Sequence, residues 1–254
     1  MILILVDVHC HANLFLTLDQ VIEDAKKVGV EKIIAVAMSS ISQERVLEIS
    51  SQYREVFASL GIHPEEVKMN EKIEQQLSSI IDLIKINKQK ICAIGEIGLD
   101  HYFVKDKELY PLQKTIFDKM LLLAQDLGLP VNLHTKGAEK IVFDTLPSYK
   151  IPNINIHWYS GPEKFLKIGI DRGYYFSITP AISYSPVVKK VVLSVDKEHL
   201  LLESDGPVEY SGKMGVPALV KNVLNSVSKL KEINSDELEK QIEENTKKIF
   251  PKIF

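Results

Sequence analysis

The feature that most constrains this chain is an alternation. Eight short apolar runs, rich in β-branched residues, are separated by longer segments of helical period. The strand-like runs fall at 2–8, 32–38, 56–61, 91–97, 130–134, 153–157, 174–178 and 199–203. Helical periodicity falls near 18–28, 42–54, 71–87, 108–128, 137–146, 162–170, 185–195, 215–231 and 235–249, the last opening on Ser235 as its cap. Such alternation implies βαβ units and a parallel sheet covered on both faces. Eight units in 254 residues match an α/β fold of the (β/α)8 TIM-barrel type, with a single domain over 1–254. An open doubly wound sheet would ask for a glycine-rich phosphate turn after strand 1, where His9, Cys10 and His11 stand instead.

Composition narrows the function classes. Hydrophobic residues at 45% and charged residues at 26% describe a folded chain rather than a disordered one. With only Cys10 and Cys92, a disulfide-stapled secreted scaffold is excluded and a reducing, cytoplasmic setting is expected. The apolar start meets Asp7 too early for a signal peptide, and no run approaches the roughly 20 apolar residues of a membrane span. A net charge of −3 supplies no overall positive field for a polyanion, so any phosphate would be met by a local cation or a bound metal.

Metal-ligand residue types recur at the C-terminal ends of the strands. Strand 1 ends in Asp7, His9 and His11, which a period of two sets on one face, with Val8 and Cys10 on the other. Strand 3 runs into His63, strand 4 ends at Glu96, strand 5 at His134, strand 6 at His157 and strand 8 at Glu203-Ser204-Asp205. Five of the seven histidines therefore lie at the face where barrel active sites are built. Imidazoles and carboxylates converging on one rim call for a cation to bind.

Six ligands (His9, His11, Glu96, His134, His157 and Asp205) are too many for one four-coordinate ion with an open position. They suit two divalent cations, roughly 3.5–4 Å apart, that activate a water and clamp the attacking and leaving oxygens. Glu96 is the natural bridge, with His9, His11 and Asp205 on one ion and His134 and His157 on the other. Asp205 is the expected general base. Imidazole-rich ligation favours zinc, manganese or iron over magnesium. His199, at the start of strand 8, reads as structural, and His101 as a loop residue within reach of the rim.

In order, the motifs Asp7-Val-His-Cys-His11, Gly61-Ile-His-Pro64, Gly95-Glu-Ile-Gly-Leu-Asp100, Pro130-Val-Asn-Leu-His134, His157-Trp-Tyr-Ser-Gly161 and Leu201-Leu-Glu-Ser-Asp205 resemble the TatD-like metal-dependent deoxyribonucleases. These belong to the amidohydrolase-type barrel superfamily. The resemblance runs from residue 7 to an Asn245…Phe250 tail. It implies the same six metal ligands, a substrate-facing His63 that touches a phosphate oxygen, and a phosphate-binding basic residue at Lys136. The implied activity is hydrolysis of DNA phosphodiester bonds, on a single strand or from an end, by metal-bound hydroxide with Asp205 handling the proton. The chain departs from the family at Glu65, where a second histidine is common. It departs again at 208–217, which keeps Lys213 and Pro217 but lacks an Arg-Asn-Glu-Pro pattern. Glu65 and Glu209 would oppose a polyanion wherever they face the site. The rim aromatics Tyr102, Phe103, Trp158 and Tyr159 could stack bases.

Two other readings compete. A dinuclear site on this barrel could hydrolyse a small phosphoester, amide or lactone, since the fold does not dictate the substrate. A rim lined by Lys136, Lys213 and aromatics would favour a strand, and a closed pocket a small molecule. A metal-binding protein without turnover would have no need of a base beside an open coordination position. Oligomeric state, native metal and direction of strand attack are left open by the sequence.

Overall fold

The computed structural model describes residues 3–254. Eight parallel strands, β1 (Leu5–Cys10), β2 (Val30–Val36), β3 (Val56–Leu60), β4 (Ile91–Gly98), β5 (Val131–His134), β6 (Ile154–His157), β7 (Tyr175–Ile178) and β8 (Leu200–Leu202), pair with their sequence neighbours from β1 to β8. The result is the expected TIM barrel, nearly closed. Between β8 and β1 the seam is drawn together at the C-terminal rim. There Asp205 N donates to His9 O at 2.9 Å and His11 N donates to Gly206 O at 2.8 Å.

Helices follow the strands and cover the sheet: α1 (Leu18–Lys27), α2 (Ser42–Gln52), α3 (Glu66–Met69), α4 (Ile73–Ile86), α5 (Tyr110–Leu127), α6 (Glu139–Thr145), α7 (Glu163–Asp171), α8 (Pro186–Ser194), α9 (Val220–Lys231) and α10 (Ser235–Ile249). Local chemistry sets their ends. The Ser185 hydroxyl accepts from Val188 N to cap α8, and α5 stops at Gly128, whose φ of +63° suits glycine. No described helix is long and apolar enough to cross a membrane.

Several expected boundaries are corrected. The first strand is shifted from 2–8 to Leu5–Cys10, with position 2 outside the described residues, and the second from 32–38 to Val30–Val36, because Leu5 pairs with Val30. The cap of α10 is Asn234, not Ser235: its Oδ1 accepts from Asp236 N and Glu237 N. The helix expected from 215 begins at Val220. Ahead of it the chain makes a hairpin, β9 (Glu209–Tyr210) with β10 (Lys213–Met214), and a 3-10 turn at Pro217–Leu219.

Inside the barrel three layers stack along its axis. At the bottom Val6, Val8, Ile34, Cys92, Tyr175 and Leu201 pack against Ile249, Phe250 and Ile253 of the C-terminal segment. Above them lies a buried polar layer: Asn155 Nδ2 donates to Asn132 Oδ1 (3.1 Å) and to Ser177 Oγ (2.9 Å), and Asn132 Nδ2 donates to Val8 O (2.9 Å). The strand-end histidines and carboxylates form the third layer. A strict period of two fails in β1, where the pairing with β2 shifts between Asp7 and Cys10. Val8 joins Val6 in the barrel interior, His9 turns to the top layer, and Asp7 turns to β8, accepting from Ser204 N (2.9 Å) and Ser204 Oγ (2.5 Å). A bulge re-aims side chains in this way.

Candidate metal centre

Glu96 stands at the centre of the top layer, and its two oxygens face different imidazoles. Oε2 lies 3.3 Å from His9 Nε2 and 3.7 Å from His11 Nε2. Oε1 lies 3.0 Å from His134 Nδ1, 3.4 Å from His63 Nε2 and 3.9 Å from His157 Nε2. Asp205 completes the first group, with Oδ1 at 3.3 Å from His11 Nε2 and 3.6 Å from His9 Nε2. Three sets of donors lie close enough to share an ion: His9, His11 and Glu96; His63, Glu96 and His134; His9, His157 and Asp205. The six sequence-derived ligands are thus brought into one cluster. His63, read as facing substrate, sits at ligand range within it as well.

The approach of β4 to β5 depends on Gly98. Its φ is +151°, and a Cβ there would lie 1.9 Å from His134 O. Trp158 and Asp205 hold left-handed φ values of 37° and 49° at the ends of β6 and β8. For a bulky Trp this is uncommon backbone, and strain of about 1–3 kcal/mol is a usual cost of such a position.

Two buried atoms test whether the cluster suits cations. His9 Nε2 and Asp205 Oδ1 have no hydrogen-bond partner, although His9 Nε2 lies 3.3 Å from Glu96 Oε2 and Asp205 Oδ1 lies 3.3 Å from His11 Nε2. Orphaned lone pairs in a dry site are costly unless a cation fills the gap. The far nitrogens of three imidazoles are all occupied. His9 Nδ1 meets Asn132 Oδ1 at 3.1 Å, His134 Nε2 meets Asp100 Oδ2 at 2.7 Å, and His157 Nδ1 meets Glu203 Oε1 at 2.9 Å. Each oxygen fixes the tautomer that leaves the inward nitrogen free as a ligand, the usual support of metal-binding histidine. The donor set therefore fits divalent cations.

Electrostatics agrees. Burial opposes charge on Glu96, yet the imidazoles of His63 and His9 hold its carboxyl well below the usual range. Burial pushes His9 down, but Glu96 and then Asp205 outweigh it and hold the ring up at about 10. His134, likewise opposed by burial, is held at about 9 by Asp100 and Glu96. Burial and the neighbouring His9 press His157 down to about 3, so it stays neutral. Protons thus occupy the metal-free cluster where cations would sit.

Sequence reasoning names Asp100, Asn132 and Glu203 only as members of strand-end motifs and gives them no role, although the signal is present. Asn132 and Glu203 lie two residues before a ligand on their strand ends, and Asp100 lies in the Glu96 motif. Of the other expected residues, Lys136 lines the cavity and donates from Nζ to Ser160 Oγ at 2.7 Å. Lys213 does not line it and faces a separate hollow between Tyr210 and α9. His101 stacks on Tyr110 at 3.6 Å, away from the cluster. Glu65 lines the cavity but pairs with Lys68 Nζ at 2.5 Å, while Glu209 is exposed on the hairpin. Tyr159 is buried below the loop, whereas Phe103 and Trp158 reach the cavity wall.

That cavity, of about 310 Å³, opens above the cluster and is walled by Met38, His63, Glu65, Phe103, Lys136, Trp158 and Val208 among others. Among the described residues Lys136 supplies the one ammonium on its wall.

The chain is similar to known proteins in sequence and in fold. Residues 6–251 match the family model of TatD related DNase. A metal-dependent hydrolase of Methanocaldococcus jannaschii, described as uncharacterized, is 37% identical, with 96% of each chain covered. The Homo sapiens deoxyribonuclease TATDN3 is 30% identical over 98% of this chain and 95% of its own. Among solved structures, the TatD homologue YjjV from Escherichia coli superposes with a TM-score of 0.89 at 25% identity, covering 99% of both chains.

Proposed function

This chain belongs to the TatD related DNase family, and on that premise we propose that it hydrolyses DNA phosphodiester bonds, on a single strand or from an end, at the cluster around Glu96. Membership makes it a metal-dependent hydrolase; the nucleic-acid substrate is our reading, supported by the human relative named as a deoxyribonuclease. The observation that carries it is the two-sided environment of Glu96, one oxygen toward His9 and His11 and the other toward His134 and His157.

We assign His9, His11, Asp205 and Glu96 to one divalent ion and Glu96, His134 and His157 to a second, zinc or manganese ahead of magnesium. Bound there, such ions supply a nucleophilic water at neutral pH and neutralise charge on the phosphoryl oxygens. Asp205 accepts the proton of the attacking water and returns it to the leaving alkoxide as the ester P–O bond breaks. His63 and Lys136 donate to the non-bridging phosphate oxygens and fix the group in line. Asn132, Asp100 and Glu203 hold the ligating rings. The whole chain acts as one barrel unit. Its two buried free thiols, Cys10 and Cys92, support a cytoplasmic setting.

The small volume of the cavity and the single lysine on its described wall give a second reading some ground: a small phosphoester, bound by the same residues. End-labelled single-stranded oligonucleotide separates the two, using protein stripped by chelator and reloaded with manganese, zinc or magnesium. Metal-dependent laddering absent from Asp205→Asn supports the nuclease. Loaded protein that leaves the strand intact under every metal refutes it in favour of the small substrate.

A further inference from the structure

We propose that the loop after β4 carries a stacking subsite at the mouth of the metal cavity, in which Phe103 takes an unpaired base of a single-stranded DNA while Lys105 and Lys136 meet its backbone. The inference rests on the DNA reading of the same site. It starts from an exposure that folding does not explain: Tyr102 and Phe103, adjacent in sequence, are 52% and 53% exposed at the mouth of the cavity.

The two rings differ in what they offer. Lys105 Nζ lies 4.6 Å and Lys136 Nζ 5.3 Å from the centroid of Tyr102, so that ring holds two ammonium groups at the mouth. Phe103 stands perpendicular to it, with centroids 4.8 Å apart, and carries no cation. Its ring lines the cavity wall and is free to receive another planar group. Of the two lysines only Lys136 lines the cavity. Passing from Lys136 by way of Tyr102 to Lys105 therefore traces a cationic path leading out of the site.

The platform is held rather than loose. Asp100 Oδ1 accepts from Tyr102 N at 2.8 Å and from Phe103 N at 2.6 Å, while Oδ2 of the same carboxylate meets His134 Nε2 at 2.7 Å. One side chain thus fixes a metal ligand and both aromatic residues relative to each other. From below, His101 N donates to Lys136 O at 2.9 Å. Gly137 lets the two loops close: a Cβ there would come within 3.0 Å of Tyr102 N.

The opposite rim offers nothing comparable. After β1, β2 and β3 the exposed large hydrophobics are Leu14, Leu16, Ile41 and Met69, none of them aromatic, and the exposed Lys68 there is paired with Glu65 of the cavity wall. A strand with planar bases and negative charges is better met on the side of β4 to β6. Stacking on Phe103 requires a base free of its partner, which selects single-stranded DNA over duplex.

The test is binding of fluorescein-labelled, phosphorothioate-linked oligothymidylate to metal-loaded protein, followed by anisotropy. Phe103→Ala is expected to weaken binding about 5- to 150-fold, the range seen when a base loses its aromatic platform, and Phe103→Trp to restore it. Lys105→Ala should lower the slope of log affinity against log salt by about 0.7. An abasic residue walked along the strand supplies a test on wild-type protein alone. One position should show the loss, and Phe103→Ala should abolish that position's distinction. The subsite is overturned if Phe103→Ala binds like wild type, if no abasic position weakens binding, or if blunt duplex loses as much as the single strand. Cleavage of unmodified strand is scored separately. Cleavage with binding indifferent to Phe103 removes the subsite alone, whereas binding that depends on Phe103 without cleavage under any metal removes the nuclease alone.

Discussion

At the bottom of the barrel Phe250, Ile249 and Ile253 close over Val6, Val8 and Leu201, and Lys32 Nζ and Lys252 Nζ donate to the carbonyls of Ile253 and Ile91. At the top, five imidazoles and two carboxylates crowd together, and His9 Nε2 and Asp205 Oδ1 are buried with no hydrogen-bond partner. Away from the top, left-handed backbone falls on Gly29, Gly128 and Gly173 and, at the end of α9, on Glu232, whereas Trp158 and Asp205 adopt it at the C-terminal ends of β6 and β8. Sealed apolar packing at one end offsets the cost of an unsatisfied polar cluster at the other. Stability and chemistry have been assigned to opposite ends of the same strands.

The comparison can be broken by exchanging effects between the ends. The largest expected effect is at the top: Asp205→Asn should lower turnover about 10²- to 10⁴-fold, as loss of a general base does, with at least one ion retained by elemental analysis. Near-normal turnover in a metal-loaded variant would assign the base elsewhere. Next is the bottom. Phe250 is fully buried, and Phe250→Ala should cost about 3–5 kcal/mol in urea unfolding, with metal stoichiometry in the folded fraction unaltered. A large loss of metal there would mean that the ends are not independent.

Smaller effects sharpen the upper end. Glu203→Gln keeps the shape beside His157 but alters the group that accepts from its Nδ1, so metal affinity should fall about 10- to 100-fold. Chelator competition would detect it, and an unchanged affinity would make Glu203 a packing residue. Smallest is a proton count. Glu96 with Asp205 and Asp100 with Glu96, outweighing burial, hold His9 at about 10 and His134 at about 9 in the metal-free cluster. Both rings are then protonated at pH 7, and an incoming cation must expel those protons, so affinity should weaken as pH falls. Calorimetry in buffers of different ionisation enthalpy measures the release directly, and a release of zero would contradict this picture of the empty cluster.

Most of the barrel was legible because strand and helix periods are local: runs such as 91–97 and 130–134 differ from Ile91–Gly98 and Val131–His134 by a residue. Position at a strand end could likewise be read for His9, Glu96, His134, His157 and Asp205. Pairwise partners could not. That Asn132 sits under His9 depends on the stagger of β5 against β1 across the barrel interior. The turning of His9 inward directly after Val8 depends on a shift in the pairing of β1 with β2 that no period of two records. The hairpin of Glu209–Tyr210 with Lys213–Met214 was hidden because two-residue strands carry too little pattern to register. Lys213, expected beside Lys136 as a groove wall, stands on that hairpin and faces the hollow over α9 instead.

The most direct test of the central claim is cation stoichiometry per chain, in wild type and in Glu96→Gln, after stripping and reloading with zinc or manganese. If Glu96 helps to hold two ions, as proposed, wild type should bind two per chain and the variant at most one, with turnover lost alongside. One ion per wild-type chain, or two retained without Glu96, would contradict it.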